Sequence, residues 1–238
     1  MIASQLNLSN KQVSSFDRFL FDGTEKALNA LDNMFGLDIE SSDSCIEISP
    51  AINSENLKHL GDGPLYTVSS AMVGEMQGKI LVLMRSSDFK HLSKAMKPTL
   101  SLLFWTGTDA DLTILDEQDE DWMDDDAEDI PEDAEYHRQM MDTLSEMANV
   151  FIGLYAKAIY NICQLNTHYS VPFAMKDTNQ KIVHQVLWSP EASGQLHLVI
   201  QNEFYVMNKP IKMWYLISPT NKSFRDILKR IEGGNELH

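Results

Sequence analysis

The sequence predicts an α+β fold: two pseudo-symmetric helix–strands–helix halves form a mainly antiparallel sheet, with the long helices packed on one face. Two long segments, about 16–36 and 135–164, carry apolar residues at helical spacing. Each is followed by shorter segments with the alternation or apolar runs of strands. Each half also closes on the same pattern, a strand that leads into a helix carrying Phe, an aliphatic residue at +3 and Lys at +5, from Phe89 and from Phe224.

In the first half, the polar residues 1–15 are expected to form an arm in front of the first helix, and Gly36 is expected to end that helix. Asp88 is expected to cap the second helix, which Pro98 should kink or divide. Three strands are predicted between the two helices, the last two as a hairpin with a turn at Gly74–Gly78: 45–49, 65–73 and 79–84.

The second half repeats this order from the long helix at 135–164 to a final helix at 224–231. We therefore expect one domain, 1–238, built of two repeats at about 16–105 and 136–231. The strands predicted in this half are 169–175, 182–188, 196–206 and 211–217.

The net charge of −16 is concentrated in the segment 109–135, which has fifteen Asp or Glu residues and no Lys or Arg. The rest of the chain is close to neutral. Such charge density predicts a solvated linker between the repeats, and a docking site for a basic partner is the alternative. Because the chain has no basic patch, we expect no nucleic-acid partner.

The chain also lacks a basic, apolar leader and any apolar run long enough to span a bilayer. Its two cysteines, Cys45 and Cys163, give no disulfide framework. We therefore expect a cytoplasmic protein that does not enter a membrane. The seven histidines show no metal-binding spacing; His168, His184 and His197 lie on or beside predicted strands, where a structural role is favoured over a shared site.

Four residues of the second long helix share one face: Asp142, Glu146, Asn149 and Gly153. They are spaced by four, three and four residues, which is the spacing of neighbours along a helix surface. We call this set the acid–amide stripe. It carries carboxylates, a carboxamide and, at Gly153, a position without a side chain. It lies next to the apolar face of the same helix, which is expected to be buried.

The stripe and a distant proline form a longer pattern, in which twenty-two residues separate Asn149 from Pro172. The pattern D/S-x3-E-x2-N-x22-P resembles the signature of the CheC/CheX/FliY phosphatases, which dephosphorylate the chemotaxis response regulator CheY. The resemblance covers the order of elements over most of the chain, and sharp motif identity from Asp142 to Pro172. It implies a CheC-like fold and a hydrolase acting on a phosphorylated CheY-like receiver.

The resemblance also implies a role for each motif residue. Asn149 would orient the attacking water, because an amide can both donate to a water and accept from it. Glu146 would pair with the active-site lysine of the receiver. Asp142 and Pro172 would support the helix and the neighbouring loop, and Gly153 would let the partner's backbone approach closely. No cofactor is expected on this chain, since the Mg²⁺ would belong to the receiver.

Aligning the two long helices by sequence places Asn33 opposite Asn149, but Ala30 stands where the acid should be and Asn56 where the proline should be. The chain is therefore predicted to carry one working site and a degenerate second site at Asn33. The alternative function is a non-catalytic CheC-like module that only binds a signalling protein. Family members differ in oligomeric state, so the resemblance is compatible with both a monomer and a homodimer.

Overall fold

The computed structural model describes residues 8–49, 63–103, 134–182 and 196–233. Most of the predicted acidic linker, 109–133, therefore lies outside the described residues. The elements, in chain order, are α1 (Asn10–Phe35), β1 (Ile39–Ser49), β2 (Pro64–Gly74), β3 (Gly78–Arg85), α2 (Ser86–Leu103), α3 (Ala134–Cys163), β4 (Thr167–Tyr169), β5 (Phe173–Thr178), α4 (Asn179–Ile182), β6 (His197–Val206), β7 (Lys209–Pro219) and α5 (Asn221–Gly233).

The seven strands form one sheet in the order β1-β6-β7-β3-β2-β4, and β5 also pairs with β2. Every pairing is antiparallel. The order is symmetric about the central pair β3–β7, because β1 of the first half pairs with β6 of the second, while β4 and β5 of the second half pair with β2 of the first. The predicted α+β class with an antiparallel sheet is confirmed.

The main core lies on one face of this sheet, where α1, α2, α3 and α5 pack against alternating residues of the strands. Burying one apolar stripe of each helix on one sheet face is the physical reason for the layered arrangement. The opposite face carries a smaller cluster around Leu81, Leu83 and Trp214, which Ile182 of α4 joins.

Helix α1 begins at Asn10, so the prediction of an arm over residues 1–15 is wrong from residue 10 onward. Ser9 and Gln12 form a capping box: the Ser9 hydroxyl accepts the Gln12 N–H at 3.3 Å, and the Gln12 side-chain oxygen accepts the Ser9 N–H at 2.9 Å. These bonds satisfy free N–H groups at the helix start, so polar residues there remain helical. Gly36 ends the helix as predicted, with φ +64°.

Other boundaries differ from the prediction. Helix α2 begins at Ser86 and continues undivided past Pro98. The strand predicted at 169–175 is two strands, β4 and β5, with Pro172 between them. Ile182 ends α4 instead of opening a strand, and 183–188 lies outside the described residues. Among the described helices, none is both long and apolar enough to cross a bilayer.

Candidate functional site

All four residues of the acid–amide stripe are exposed on α3. Within the described residues, neither Glu146 nor Asn149 makes a hydrogen bond or an ion pair with another side chain. Both polar groups are therefore directed outward with their bonding capacity unused. The structure brings Asp142, Glu146, Asn149 and Gly153 onto one surface, as the helical spacing predicts.

The face of α3 opposite the stripe is buried, and its packing keeps the stripe facing outward. Met147, Phe151 and Tyr155 are each 1% exposed or less. The Phe151 ring meets the Tyr215 ring edge-on at 5.8 Å, and Tyr155 packs on the same ring at 4.5 Å. A helix held by several buried rings cannot rotate about its axis without losing those contacts. The exposed amide is thus presented by a rigid element.

Helix α1 supports α3 through an unusually close contact at Gly23. A Cβ atom on Gly23 would lie 2.6 Å from two carbons of the Tyr155 ring. The Tyr155 hydroxyl lies 2.8 Å from the Thr24 hydroxyl and accepts the amide N–H of Asn202 at 2.8 Å, while Thr24 donates to the Asn202 oxygen at 3.0 Å. This closed triad joins α1, α3 and β6. Burial raises the pKa of Tyr155 to about 12, so it stays a neutral hydroxyl there.

Pro172 lies on the chain that follows α3. Gln164 adopts a left-handed conformation, φ 53°, directly after the helix, and the chain then enters β4 and β5. Pro172 lies between these two strands, with twenty-two residues separating it from Asn149. Its role beside the acid–amide stripe stays a prediction.

Pro172 sits in an irregularity of the sheet edge, because residues 170–172 face only Ser70 and Ala71 of β2. Ser170 holds this bulge in place: its hydroxyl accepts the Ala71 N–H at 2.9 Å, and its carbonyl accepts the Ser70 hydroxyl at 2.8 Å. Bulges of this kind redirect an edge strand locally. The side chains around the bulge are open, with Val171 89% exposed and Phe173 63% exposed.

The ends of the two long helices give a second register for comparing the halves, which differs from the one used in the sequence alignment. Helix α1 ends at Gly36 and α3 at Gln164, both left-handed residues whose N–H groups bond to Asp32 and Tyr160 respectively, each at 2.7 Å. Matching these caps also matches buried residues, for example Phe19 with Met147 and Leu31 with Ile159.

In this register the residue opposite Asn149 is Phe21, because each lies fifteen residues before its cap. Arg18 stands opposite Glu146. Asn33 lies only three residues before Gly36, and its side chain donates to the Asn29 carbonyl at 2.6 Å. The degenerate second site at Asn33 stays a prediction. In the register of the helix ends, the equivalent surface of α1 centres on Phe21, which is 67% exposed.

Of the three histidines considered together, the two that the structure describes, His168 and His197, lie far apart. His197 is buried on β6, with its Nδ1 atom 2.7 Å from the Ser218 hydroxyl, and burial lowers the pKa of His197 to about 4. His168 is exposed on β4, four strand spacings or about 19 Å away across the sheet. His184 lies outside the described residues. Within the described parts of the chain, no three His, Cys, Asp or Glu residues are grouped to hold a metal ion.

Sequence reasoning missed two exposed aromatic residues, one on the stripe face of α3 and one on α1. Tyr160 is 40% exposed and lies two helical turns beyond Gly153 on the same face of α3. Its seven-residue spacing from Gly153 is visible in the sequence. The position of Phe21 opposite Asn149 is not, because it depends on where the two helices end.

No protein-family model matches the chain, and no curated protein matches it either. Solved structures do. The chain is similar to FliY from Thermotoga maritima with a TM-score of 0.61, 13% identity and coverage of 95% of this chain and 98% of that one. It is similar to the FliM middle domain from H. pylori with a TM-score of 0.55, 11% identity and coverage of 94% and 99%. These likenesses show the fold, which is the CheC-like fold that the motif implied.

Proposed function

From a CheC-like fold with an exposed Glu–Asn pair, we propose that the chain is a phosphatase acting on the aspartyl phosphate of a CheY-like receiver domain. The observation that supports this most strongly is the placement of Glu146 and Asn149. Both are exposed on a helix that buried rings hold from behind. A working site needs rigid presentation of this kind, because positioning supplies much of the rate of phosphoryl transfer.

In the proposed reaction, Asn149 enters the receiver's phosphorylation site and holds a water in line with phosphorus. The water oxygen forms a bond to phosphorus while the bond between phosphorus and the aspartate oxygen breaks. The aspartate leaves as a carboxylate, and the proton of the water passes to the released phosphate. Glu146 pairs with a receiver lysine and fixes the docking register. The Mg²⁺ that neutralises the phosphoryl charge would be held by the receiver.

The direct test is phosphate release from a phosphorylated receiver, with the wild-type chain and with Asn149→Ala. We expect turnover to fall at least a hundredfold, because the variant cannot hold the water, while binding of the receiver persists. Asn33→Ala is the matched control: the same truncation on an exposed helical asparagine, which should leave turnover unchanged. Equal phosphate release by wild type and Asn149→Ala would refute the proposal.

The alternative function is a CheC-like module that binds a signalling protein without hydrolysis. Two observations favour it over an unrelated activity. The same fold occurs in the FliM middle domain, and fold alone does not determine chemistry. The stripe-equivalent surface of α1 carries Phe21 and Arg18, which can bind but cannot position a water in the same way. Receiver binding without any phosphate release by the wild-type chain would select this alternative.

A further inference from the structure

Helix α5 carries a row of cations on its exposed face. Lys222, Arg225 and Lys229 are all exposed, and they are spaced by three and four residues, which places them on one side of the helix. Within the part of the chain that the structure describes, none of the three takes part in an ion pair. We call Lys222, Arg225 and Lys229 the α5 basic stripe.

Two acids flank the α5 basic stripe without neutralising it. Asp226 is half-buried and Glu232 is exposed, and neither forms an ion pair within the described residues. Arg230 adds a fourth cation, 3.9 Å from Glu75. With four cations and two acids among residues 221–233, α5 is a positive element in a chain whose net charge is −16.

The opposite side of α5 is buried, so the stripe is held facing outward. Phe224 and Ile227 are 2% and 3% exposed. The Phe224 ring stacks on the Phe16 ring with centroids 6.4 Å apart, and the Gln77 N–H donates to the Ser223 hydroxyl at 2.8 Å. A helix packed in this way cannot turn its cations inward without losing these contacts.

The chain itself contains the opposite charge. The acidic segment 109–135 has fifteen Asp or Glu residues and no Lys or Arg, and six of these acids lie within residues 119–126. Opposite charges at a protein surface attract each other over a distance that shortens as salt is added. The proposed function uses neither the acidic segment nor the α5 basic stripe.

The acidic segment is long enough to reach α5. Thirty residues separate Leu103, at the end of α2, from Ala134, at the start of α3. A residue at the middle can lie about 50 Å from either end, at 3.3 Å per residue. Helix α3 is about 45 Å long. Helix α5 packs against α3 and β7, and α2 also packs on β7. Two groups tethered on one chain meet at an effective concentration on the order of millimolar, so even a weak attraction suffices.

The equivalent helix of the first half offers a weaker surface. In α2 the positions that match the α5 basic stripe hold Ser87, Lys90 and Lys94. Lys90 is half-buried. At these positions α2 has two cations, one of them half-buried, where α5 has three that are exposed.

We propose that the α5 basic stripe binds the chain's own acidic segment, through the acids of residues 119–126. The contact joins side-chain charges and is therefore sensitive to salt. Its consequence is that an acidic segment of another protein can bind α5 only by displacing the segment that the chain itself supplies.

The first test is zero-length cross-linking of carboxylates to amines, on an equal mixture of unlabelled and isotope-labelled full-length chain. We expect cross-links from residues 119–126 to Lys222 or Lys229, within one isotope, that disappear at about 1 M salt, where the Debye length is about 3 Å. Cross-links to Lys90 or Lys94 without any to α5 would overturn the inference. Cross-links that join the two isotopes would assign the contact to a second copy of the chain and would also overturn it.

The second test measures competition with a fluorescent synthetic peptide of residues 109–133. A full-length variant in which the six acids of 119–126 are changed to Asn or Gln should bind this peptide at least tenfold more tightly than the wild-type chain. The reason is that its stripe is no longer occupied. Fluorescence anisotropy gives both values of Kd. Equal values would show that the chain's own segment does not occupy the stripe, which would overturn the inference.

Charge reversal in the same full-length variant tests the place of binding. Lys222→Glu, Arg225→Glu and Lys229→Glu together should abolish the tenfold gain, with Tm unchanged because all three side chains are exposed. Lys90→Glu with Lys94→Glu is the matched control on α2 and should keep the gain. A gain that survives the three α5 substitutions would place the peptide elsewhere and refute the assignment to α5.

Discussion

Glu146 is an exposed carboxylate, and its contribution to receiver binding depends on the charge of the group that it contacts. If it pairs with a receiver lysine, Glu146→Lys puts two like charges together at the docking surface and should raise the Kd for the receiver at least tenfold. Glu146→Gln should raise it less, because the amide keeps the size and removes only the charge. The measurement is receiver affinity at two salt concentrations. Equal affinity of Glu146→Lys and wild type at low salt would contradict the pairing.

His197 gives the fold a pH dependence whose sign follows from its burial. Burial lowers the pKa of His197 to about 4, while an unfolded chain has a histidine pKa near 6.5. Between these values the unfolded state binds more protons, so stability falls as the pH falls from about 6.5 to about 4, by up to about 3 kcal/mol. Urea unfolding of wild type and His197→Gln across this range measures the contribution. A slope that is the same in both proteins would exclude it.

At the scale of elements, the crossing of α1 over α3 depends on Gly23. Gly23→Ala puts a methyl group onto a ring that Phe19 and Tyr215 already enclose, so the helices must separate. Overpacking of this kind costs about 1–3 kcal/mol, while the gain in helix propensity returns about 1 kcal/mol. We expect a net loss of up to about 2 kcal/mol in the free energy of unfolding, measured with urea. A more stable variant would show that the contact is looser than described.

A second prediction at this scale concerns the capping box at the start of α1. Ser9→Ala removes the hydroxyl that accepts the Gln12 N–H, which should cost about 1 kcal/mol of stability. Ser9→Asp keeps an acceptor at the same place and should restore most of the loss. Thermal unfolding of the three proteins checks both statements. A loss that Ser9→Asp does not recover would mean that the cap does not hold this helix end.

Most of the fold could be predicted from sequence because its signals are local. Helical periodicity indicated both long helices, Gly74 and Gly78 indicated the hairpin, and the stripe spacing placed Glu146 and Asn149 on one face. The start of α1 was also present in the sequence, as Ser9 and Gln12, but the polar residues behind it suggested an arm. The hydrogen bonds of a capping box join side chains to main-chain N–H groups. They keep the first turn helical even where few apolar residues favour a helix.

What could not be predicted depends on contacts between distant elements. Gln164 ends α3 in a left-handed conformation without being a glycine, so a sequence search for helix ends does not detect it. The register that pairs Phe21 with Asn149 rests on this end point and becomes visible only in the structure. The role of Gly23 was equally hidden, because it appears only when the Tyr155 ring is brought across from another helix.

At the scale of the whole molecule, neither half has a sheet of its own. Alone, the first half would keep the β2–β3 hairpin and an unpaired β1, and the second half would keep β6–β7 with β4 and β5 unpaired. Isolated two-stranded hairpins are barely stable in water. We therefore expect fragments 1–108 and 134–238 to be largely unfolded when separate and to assemble when mixed, as followed by circular dichroism. A cooperative unfolding transition in either fragment alone would contradict this expectation.

The beginning of α1 lies against the end of α5. The Lys11 ammonium donates to the Glu232 carbonyl at 2.7 Å, and the Phe16 and Phe224 rings stack at 6.4 Å. A short peptide could therefore join Gly233 to Ser9, with new ends opened between residues 109 and 133. In that circular permutant the second half would be synthesised first, yet each half would still give its outer strand to the other. The fold depends on which strands pair with each other. It does not depend on the order in which the two halves are synthesised.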